Sequence, residues 1–332
     1  MYILAIETSC DETAASVIKA DSKTWQIKEL SNIVSSQINI HQKYGGVVPE
    51  IAAREHVLQI LPVIDEALSQ AKKKPQKIDY LAVTQGPGLI TSLITGLETG
   101  RALAFAWKKP IVAVNHVAGH LYANFLNTNK KIKFPAIILT VSGGHTNLVL
   151  MKKPNNIKIV GETLDDAAGE AYDKAAKMMG LGYPGGPIIS QQAKTYLQKK
   201  GHQSKLVFPR PLLKNHNLNF SFSGLKTALL YQLQKDKNWK NRIPEYCFAY
   251  QEAIIEVLIY KTLQAAMKYK VKTIMLSGGV SANDELRERL LKTVKNKLPQ
   301  VTCLIPEKKY TTDNAAMIAA AGFFAIQNNL KK

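Results

Sequence analysis

The 332-residue chain contains three cysteines, Cys10, Cys247 and Cys303, far apart and with no CxxC pair. That odd, scattered set excludes a disulfide framework and fits thiols kept reduced in a cytosol. No apolar run reaches the ~18–20 residues needed to cross a bilayer, so no membrane-spanning helix is expected. Glu7 interrupts the first apolar stretch and no basic segment precedes it, so a signal or transit peptide is not expected and the chain is placed in the cytoplasm. Arginine is scarce, with six residues, and lysine therefore carries most of the formal charge of +19. Between Lys194 and Arg242 eleven Lys or Arg stand against one acid, Asp236, a net +10. A lysine excess can be nothing more than solvated surface. Its concentration in this stretch predicts an electropositive face suited to a phosphodiester backbone, with Lys199, Lys200, Lys205, Arg210 and Lys214 as phosphate contacts.

The length suggests two domains, and 46% hydrophobic residues is a globular composition. Strands are predicted at 2–6, 14–18 and 25–32, then a helix over 49–71, a strand at 80–84, a helix over 89–107, a strand at 111–114 and a helix from about 115. The second part repeats this order, with strands at 136–141, 147–151, 157–160, 272–276 and 301–305 and helices near 284–294 and 312–326. Both parts follow β-β-β-α-β-α-β-α, an α/β architecture of two lobes, each a mixed sheet flanked by helices. The expected lobes are 1–130 and 131–332, joined in the polar segment 127–133. The second carries an insertion at about 166–270 that holds the basic stretch.

Three short loops sit at the tips of apolar runs. The first is Glu7-Thr8-Ser9-Cys10-Asp11-Glu12-Thr13 and the second Ser142-Gly143-Gly144-His145-Thr146. The third is Ser277-Gly278-Gly279-Val280-Ser281-Ala282-Asn283. The first two predict hairpin tips whose backbone N–H groups face an anion, and the third a strand, turn and helix start. Together they predict a nucleotide held between two lobes, with Gly144 and Gly279 as turn glycines at positive φ.

His116-Val117-Ala118-Gly119-His120 places two imidazoles at i and i+4, within reach of one ion on a helix face. Two capping or solvated histidines would give the same spacing. Val117 stands where a zincin-type peptidase needs glutamate, which disfavours that activity. Asp313 lies at the start of the last predicted helix and either caps it or completes a two-His, one-carboxylate set. If the lobes obey a pseudo-two-fold, His116 and Asp313 sit at equivalent helix starts facing each other across a central cleft.

These motifs, with Gly45-Gly46-Val47-Val48-Pro49-Glu50, Asp165-Asp166-Ala167-Ala168-Gly169-Glu170, Tyr183-Pro184-Gly185-Gly186, Phe222-Ser223-Gly224-Leu225-Lys226 and Thr312-Asp313-Asn314, resemble the bacterial TsaD (Gcp/YgjD) family. That family makes threonylcarbamoyladenosine in tRNA and has the actin-like, ribonuclease H-like fold. The resemblance implies transfer of a threonylcarbamoyl group from threonylcarbamoyl-adenylate to N6 of adenosine 37, in tRNAs that read codons beginning with A. It further implies one divalent metal, iron favoured and zinc possible, on His116, His120 and Asp313. Substrate-contacting positions would be Thr140, Val141, Ser142, Gly143, Gly144, Asp173, Gly186 and Asn283, with an adenine nucleotide (the adenylate, ATP or AMP). Implied partners are tRNA, an inactive TsaB-type paralogue and a small TsaE-type P-loop ATPase, with a separate synthase supplying the donor.

The chemistry of acyl transfer to a weakly nucleophilic amine calls for carbonyl polarisation and oxyanion stabilisation, which a metal and the N–H groups of Ser142–Gly144 could supply. Asp11 and Glu12 are candidates for orienting the amine or taking its proton, or are ordinary loop acids. Asp173 could equally lie on a solvated helix face, and Asn283 could equally cap its helix. The alternatives are an actin-like ATPase acting as an assembly or chaperone module, and, less favoured, a metallopeptidase.

Overall fold

The computed structural model describes residues 1–128, 130–213, 215 and 217–329. Contacts divide the chain into two compact units, Met1–Lys131 with Pro306–Lys332, and Ile132–Ile305.

In the first unit β1 (Tyr2–Glu7), β2 (Glu12–Ala20) and β3 (Ile27–Ser36) form an antiparallel meander. β4 (Tyr80–Gly86) and β5 (Ile111–Asn115) add in parallel on the other side of β1, giving the order β3-β2-β1-β4-β5. A short helix, α1 (Ile38–His41), follows β3, and α2 (Pro49–Gln70) starts on a proline whose missing N–H is no loss at a first helical turn. α3 (Ile90–Trp107) crosses between β4 and β5, and α4 (His116–Tyr122) follows β5. Five of the six β1 residues are buried, as expected for a strand covered on both faces. Leu4, Ile6, Ala15 and Val17 pack under Ile60, Val63, Ile64 and Ala67 of α2.

The opposite face is covered by α10 (Ala315–Asn329), which packs on all five strands of this sheet and on α4. The expected boundary therefore changes: residues 306–332, assigned from sequence to the second lobe, belong with the first. α4 has seven residues and cannot cover a five-stranded sheet, whereas α10 is buried along nearly its whole length. Its Phe324 stacks on Tyr122 at 4.7 Å and meets Phe125 edge-on at 4.8 Å. A side chain at Gly322 would come within 2.7 Å of Ala82, so glycine lets helix and sheet approach.

The second unit repeats the sheet. β6 (Ala136–Val141), β7 (Thr146–Lys153) and β8 (Asn156–Glu162) form the meander, and β9 (Thr273–Ser277) and β10 (Thr302–Leu304) add in parallel in the order β10-β9-β6-β7-β8. Between β8 and β9 lie α5 (Ala168–Met178), α6 (Gly185–Lys200), α7 (Ser223–Lys235) and the 26-residue α8 (Ile243–Lys268). α9 (Asp284–Lys297) joins β9 to β10. Phe208, Phe220, Phe222, Tyr246 and Tyr250 fill the core beneath these helices.

Phe324→Ala should destabilise the fold by about 3–5 kcal/mol, the usual cost of truncating a buried phenylalanine. Equilibrium denaturation in urea measures this directly.

Candidate metal centre and nucleotide loops

The β1–β2 tip is pinned from several sides. The Leu89 N–H donates to Ser9 O at 2.8 Å, and the Gln37 N–H donates to Asp11 O at 3.0 Å. His56 from α2 bridges the tip, with Nε2 2.9 Å from Cys10 O and Nδ1 2.8 Å from Thr13 Oγ1. Beside it, Asn115 caps α4 by accepting the Ala118 N–H at 3.0 Å. Helical spacing then sets the rings of His116 and His120 at 4.9 Å and nearly perpendicular.

Asp313 sits in the turn just before α10. Its Oδ1 lies 3.4 Å from His116 Nε2 and 3.3 Å from His120 Nε2. One ligand atom from each residue falls within 4.8 Å of the others. All three belong to the first unit, which corrects the expectation that Asp313 arrives from a symmetry-related second lobe. α10 is the reason: its docking on α4 carries the preceding turn to the histidine pair. With neutral imidazoles, two nitrogen lone pairs and a carboxylate oxygen converge, and a cation satisfies all three. Two imidazoles and one carboxylate suit a divalent transition metal with open positions for substrate.

Further acids crowd this end of the sheet. Burial opposes charge on His116, but its hydrogen bond to Glu7 and the charges of Glu7 and Asp313 raise it to about 9. Asp313 is held below the usual carboxylate range despite burial, by a hydrogen bond from His120 and the two imidazoles. Burial, with the neighbouring charges of Asp11 and Asp313, pushes Glu12 up to about 10. Cys10 is driven up by burial and by Asp11, so it is no thiolate nucleophile.

In the second unit, Thr140, Val141, Ser142, Gly143 and Gly144 form the end of β6 and its turn. The Ser142 N–H donates to His145 O at 2.8 Å, and the His145 N–H returns to Ser142 Oγ at 3.1 Å. Ser142 N–H is therefore engaged and cannot serve an oxyanion, contrary to expectation. Gly143 and Gly144 face open space, since a Cβ placed on either would meet nothing within 4 Å. Neither N–H is used among the described residues. The left-handed glycine of the third loop is Gly278, at φ +84, whereas Gly144 and Gly279 are not at positive φ. A side chain on Gly278 would strike the Val141 carbonyl, so glycine holds the two loops together. Thr140 Oγ1 and Ser277 Oγ add a 3.0 Å hydrogen bond at the same junction.

Asp173 and Gly186 are brought together. The Asp173 carboxylate accepts the Gly185 N–H at 2.8 Å, with the Gly186 N–H as a further donor, at the start of α6. Asn283 caps α9, accepting the Leu286 N–H at 3.0 Å and donating to Gln251 Oε1 at 2.7 Å. Among the described residues, His202, Glu252 and Glu285 form a second group with metal-like spacing. Arg289 already pairs with Glu252 and lies 3.8 Å from Glu285, so its guanidinium meets that charge.

The basic stretch is less uniform than its composition. Arg210 pairs with Glu256 at 2.8 Å and donates to Phe208 O, and Arg242 pairs with Asp236 and Glu245. Arg210 is thus committed within the fold, which corrects its assignment as a phosphate contact. Lys199, Lys200 and Lys205 are exposed, and Lys214 lies outside the described residues. Sequence reasoning also passed over Glu7, Thr84 and His56, which support the loops and the His pair. The signal for Glu7 was an acid ending a wholly apolar strand.

The sequence matches the model of the family described as TsaD, tRNA N6-adenosine threonylcarbamoyltransferase, over residues 28–320. It is 48% identical to a protein of that name from Syntrophomonas wolfei, covering 98% of this chain and 93% of that one. It is 49% identical to the corresponding protein of Bacillus licheniformis, covering 100% and 94%. Among solved structures it resembles HypF of T. kodakarensis with a TM-score of 0.65 and 12% identity, over 99% of this chain and 48% of that one. A phosphate- and nucleotide-bound full-length HypF gives 0.62, also at 12% identity, over 100% of this chain and 47% of that one. The chain spans about half the length of these structures, and the likeness establishes the two-lobed actin-like fold alone.

Replacing His116, His120 or Asp313 by alanine should each abolish metal retention with the fold intact, measured by elemental analysis. Protons compete for the same nitrogen. Stability that protonated His116 gives the metal-free protein is complete below 6.5 and lost as pH rises through about 9. Metal affinity should therefore fall as pH is lowered from about 9, and a chelator-competition titration across that range checks the sign.

Proposed function

The chain belongs to the tRNA N6-adenosine threonylcarbamoyltransferase family, and we propose that it transfers a threonylcarbamoyl group from threonylcarbamoyl-adenylate to N6 of adenosine 37 in tRNAs reading codons that begin with A. The enzyme is a transferase. The observation that carries this reading is the convergence of His116, His120 and Asp313 in a chain about half identical to its relatives. We assign one divalent ion per subunit to these residues, Fe2+ ahead of Zn2+, with the adenylate donor, or ATP or AMP, on the second unit. When bound, such an ion supplies Lewis acidity toward an acyl carbonyl and a ligand position for a carboxylate.

The protein's own groups have distinct tasks in this reading. Gly143 and Gly144 offer their unused N–H groups to the phosphate or to the oxyanion of the tetrahedral intermediate. Asp173 and Asn283, already spent on helix starts, shape the substrate pocket through α6 and α9. The amine loses a proton as the carbonyl carbon–nitrogen bond forms, and AMP departs through its phosphate without strong acid catalysis. Glu12, protonated in the metal-free protein, orients the amine, and Asp11 is the candidate proton acceptor.

Among the described residues no helix is long and apolar enough to cross a membrane, and we place the enzyme in the cytoplasm. A TsaB-type paralogue, a TsaE-type ATPase and a separate donor synthase are its proposed partners. Val57, Leu58 and Leu61 of α2 and Ile90 and Ile94 of α3 are exposed on two helices that pack together. This apolar face is the surface we assign to the paralogue.

The direct assay combines the purified chain and its partners with synthetic threonylcarbamoyl-adenylate and tRNA. Mass spectrometry of the digested nucleosides should find threonylcarbamoyladenosine, and its formation should be abolished by chelator. Absence of product, or product indifferent to chelator, would contradict the reading.

Transfer RNA is proposed to lie on the second unit over Lys199, Lys200 and Lys205. A K199Q/K200Q/K205Q variant should bind all tRNAs more weakly and flatten the plot of log affinity against log salt. Each lost contact should lower the slope by about 0.7–0.9.

A further inference from the structure

We propose that Glu7 is the positioning residue of the metal centre: its buried carboxylate takes the Nδ1 proton of His116 as a hydrogen bond and so aims the Nε2 lone pair at the ion. The inference rests on the metal reading given above.

Glu7 is wholly buried at the end of β1, where an acid is costly unless its oxygens are satisfied. Its Oε1 accepts the Ser9 N–H at 2.6 Å, and its Oε2 accepts the Thr84 hydroxyl. The same Oε2 lies 3.3 Å from His116 Nδ1, and Ser9 Oγ lies 3.0 Å from that nitrogen. The carboxylate's other hydrogen-bond partners among the described residues, the Ser9 N–H and the Thr84 hydroxyl, both donate to it. A bare Nδ1 would set its lone pair against the carboxylate with no proton between them. Nδ1 therefore carries the hydrogen, shared between Glu7 and the Ser9 hydroxyl, and Ser9 is itself fixed by Glu7 through its N–H. A neutral imidazole has one N–H, so Nε2, which points at Asp313 Oδ1, is the ligand atom.

The two histidines differ in this support. His120 Nδ1 is buried with no hydrogen-bond partner among the described residues, so nothing there fixes its tautomer from outside. Among the described residues, Glu7 alone supplies to this pair the carboxylate–histidine arrangement that raises ligand basicity and holds ring orientation. Because it comes from β1, Glu7 ties the ion to the central strand of the sheet.

The test is Co2+ binding to the full chain, followed by its d–d absorption and by chelator competition. Glu7→Gln keeps the shape but can present an amide N–H to Nδ1, which favours the wrong tautomer. Its affinity should fall about 10–100-fold, the range for such outer partners, with an altered d–d spectrum. Ser16→Ala removes a buried hydroxyl of the neighbouring β2, which donates to Ser31 O at 2.7 Å, without touching Glu7 or the ring, and should keep affinity within a few-fold and the spectrum unchanged. Should Glu7→Gln not fold, Glu7→Asp is read instead, and intermediate affinity with an altered spectrum supports the proposal. Either Glu7 variant, folded and binding Co2+ as tightly as the parent with the same spectrum, overturns it. If the unmodified chain binds no Co2+, or binds it equally well as Asp313→Ala, the metal reading itself fails and this inference with it.

Discussion

The structure depends on the docking of α10 against the first sheet. A parallel strand such as β4 needs both faces covered, and α2 and α3 lie over only one of them. The other face is closed by the last helix of the chain, through Phe324 against Tyr122 and Phe125 and through Gly322 over Ala82. A side chain at Gly119 would come within 2.9 Å of Ile318, so α4 and α10 meet almost backbone to side chain. Asp313, two residues before α10, is carried to the histidine pair by this packing. The histidine pair and its carboxylate are a consequence of closing a hydrophobic face.

That geometry concentrates negative charge where the chain as a whole is strongly basic. Glu7, Asp11, Glu12 and Asp313 gather at the ends of β1 and β2 and before α10. The fold meets the resulting repulsion in three ways: Glu7 is surrounded by donors, Asp313 by imidazoles, and Glu12 takes up a proton. A divalent cation would meet it more completely. Stability and pH are accordingly linked through the same few atoms, and affinity for the proposed ion would be linked with them.

Much of this was legible in the sequence, for physical reasons. Strand periodicity and the three loops located both sheets, because buried strands and hairpin tips leave local signatures. The His116–His120 spacing was equally local. The return of α10 was not legible, since a helix apolar on nearly every side does not record which sheet it covers. The pseudo-two-fold argument brought Asp313 to the right partners by the wrong route. Nor did composition show that Arg210 and Arg242 are paired to acids, or that Ser142 spends its N–H within its own turn. The Arg210–Glu256 pair joins residues far apart in the chain, and the other contacts depend on local backbone geometry that composition does not record. Glu7 was read as an interruption of an apolar run and as the first residue of a loop, with no role of its own, and its partners Thr84 and His116 are distant in sequence.

The central claim is that α10 completes a two-histidine, one-carboxylate centre within the first unit. X-ray absorption spectroscopy of the zinc-loaded chain tests it most directly. The account predicts two imidazole nitrogens and at least one carboxylate oxygen at about 2.0–2.2 Å, and no sulfur. A shell containing sulfur near ~2.3 Å, or only one imidazole, would contradict it.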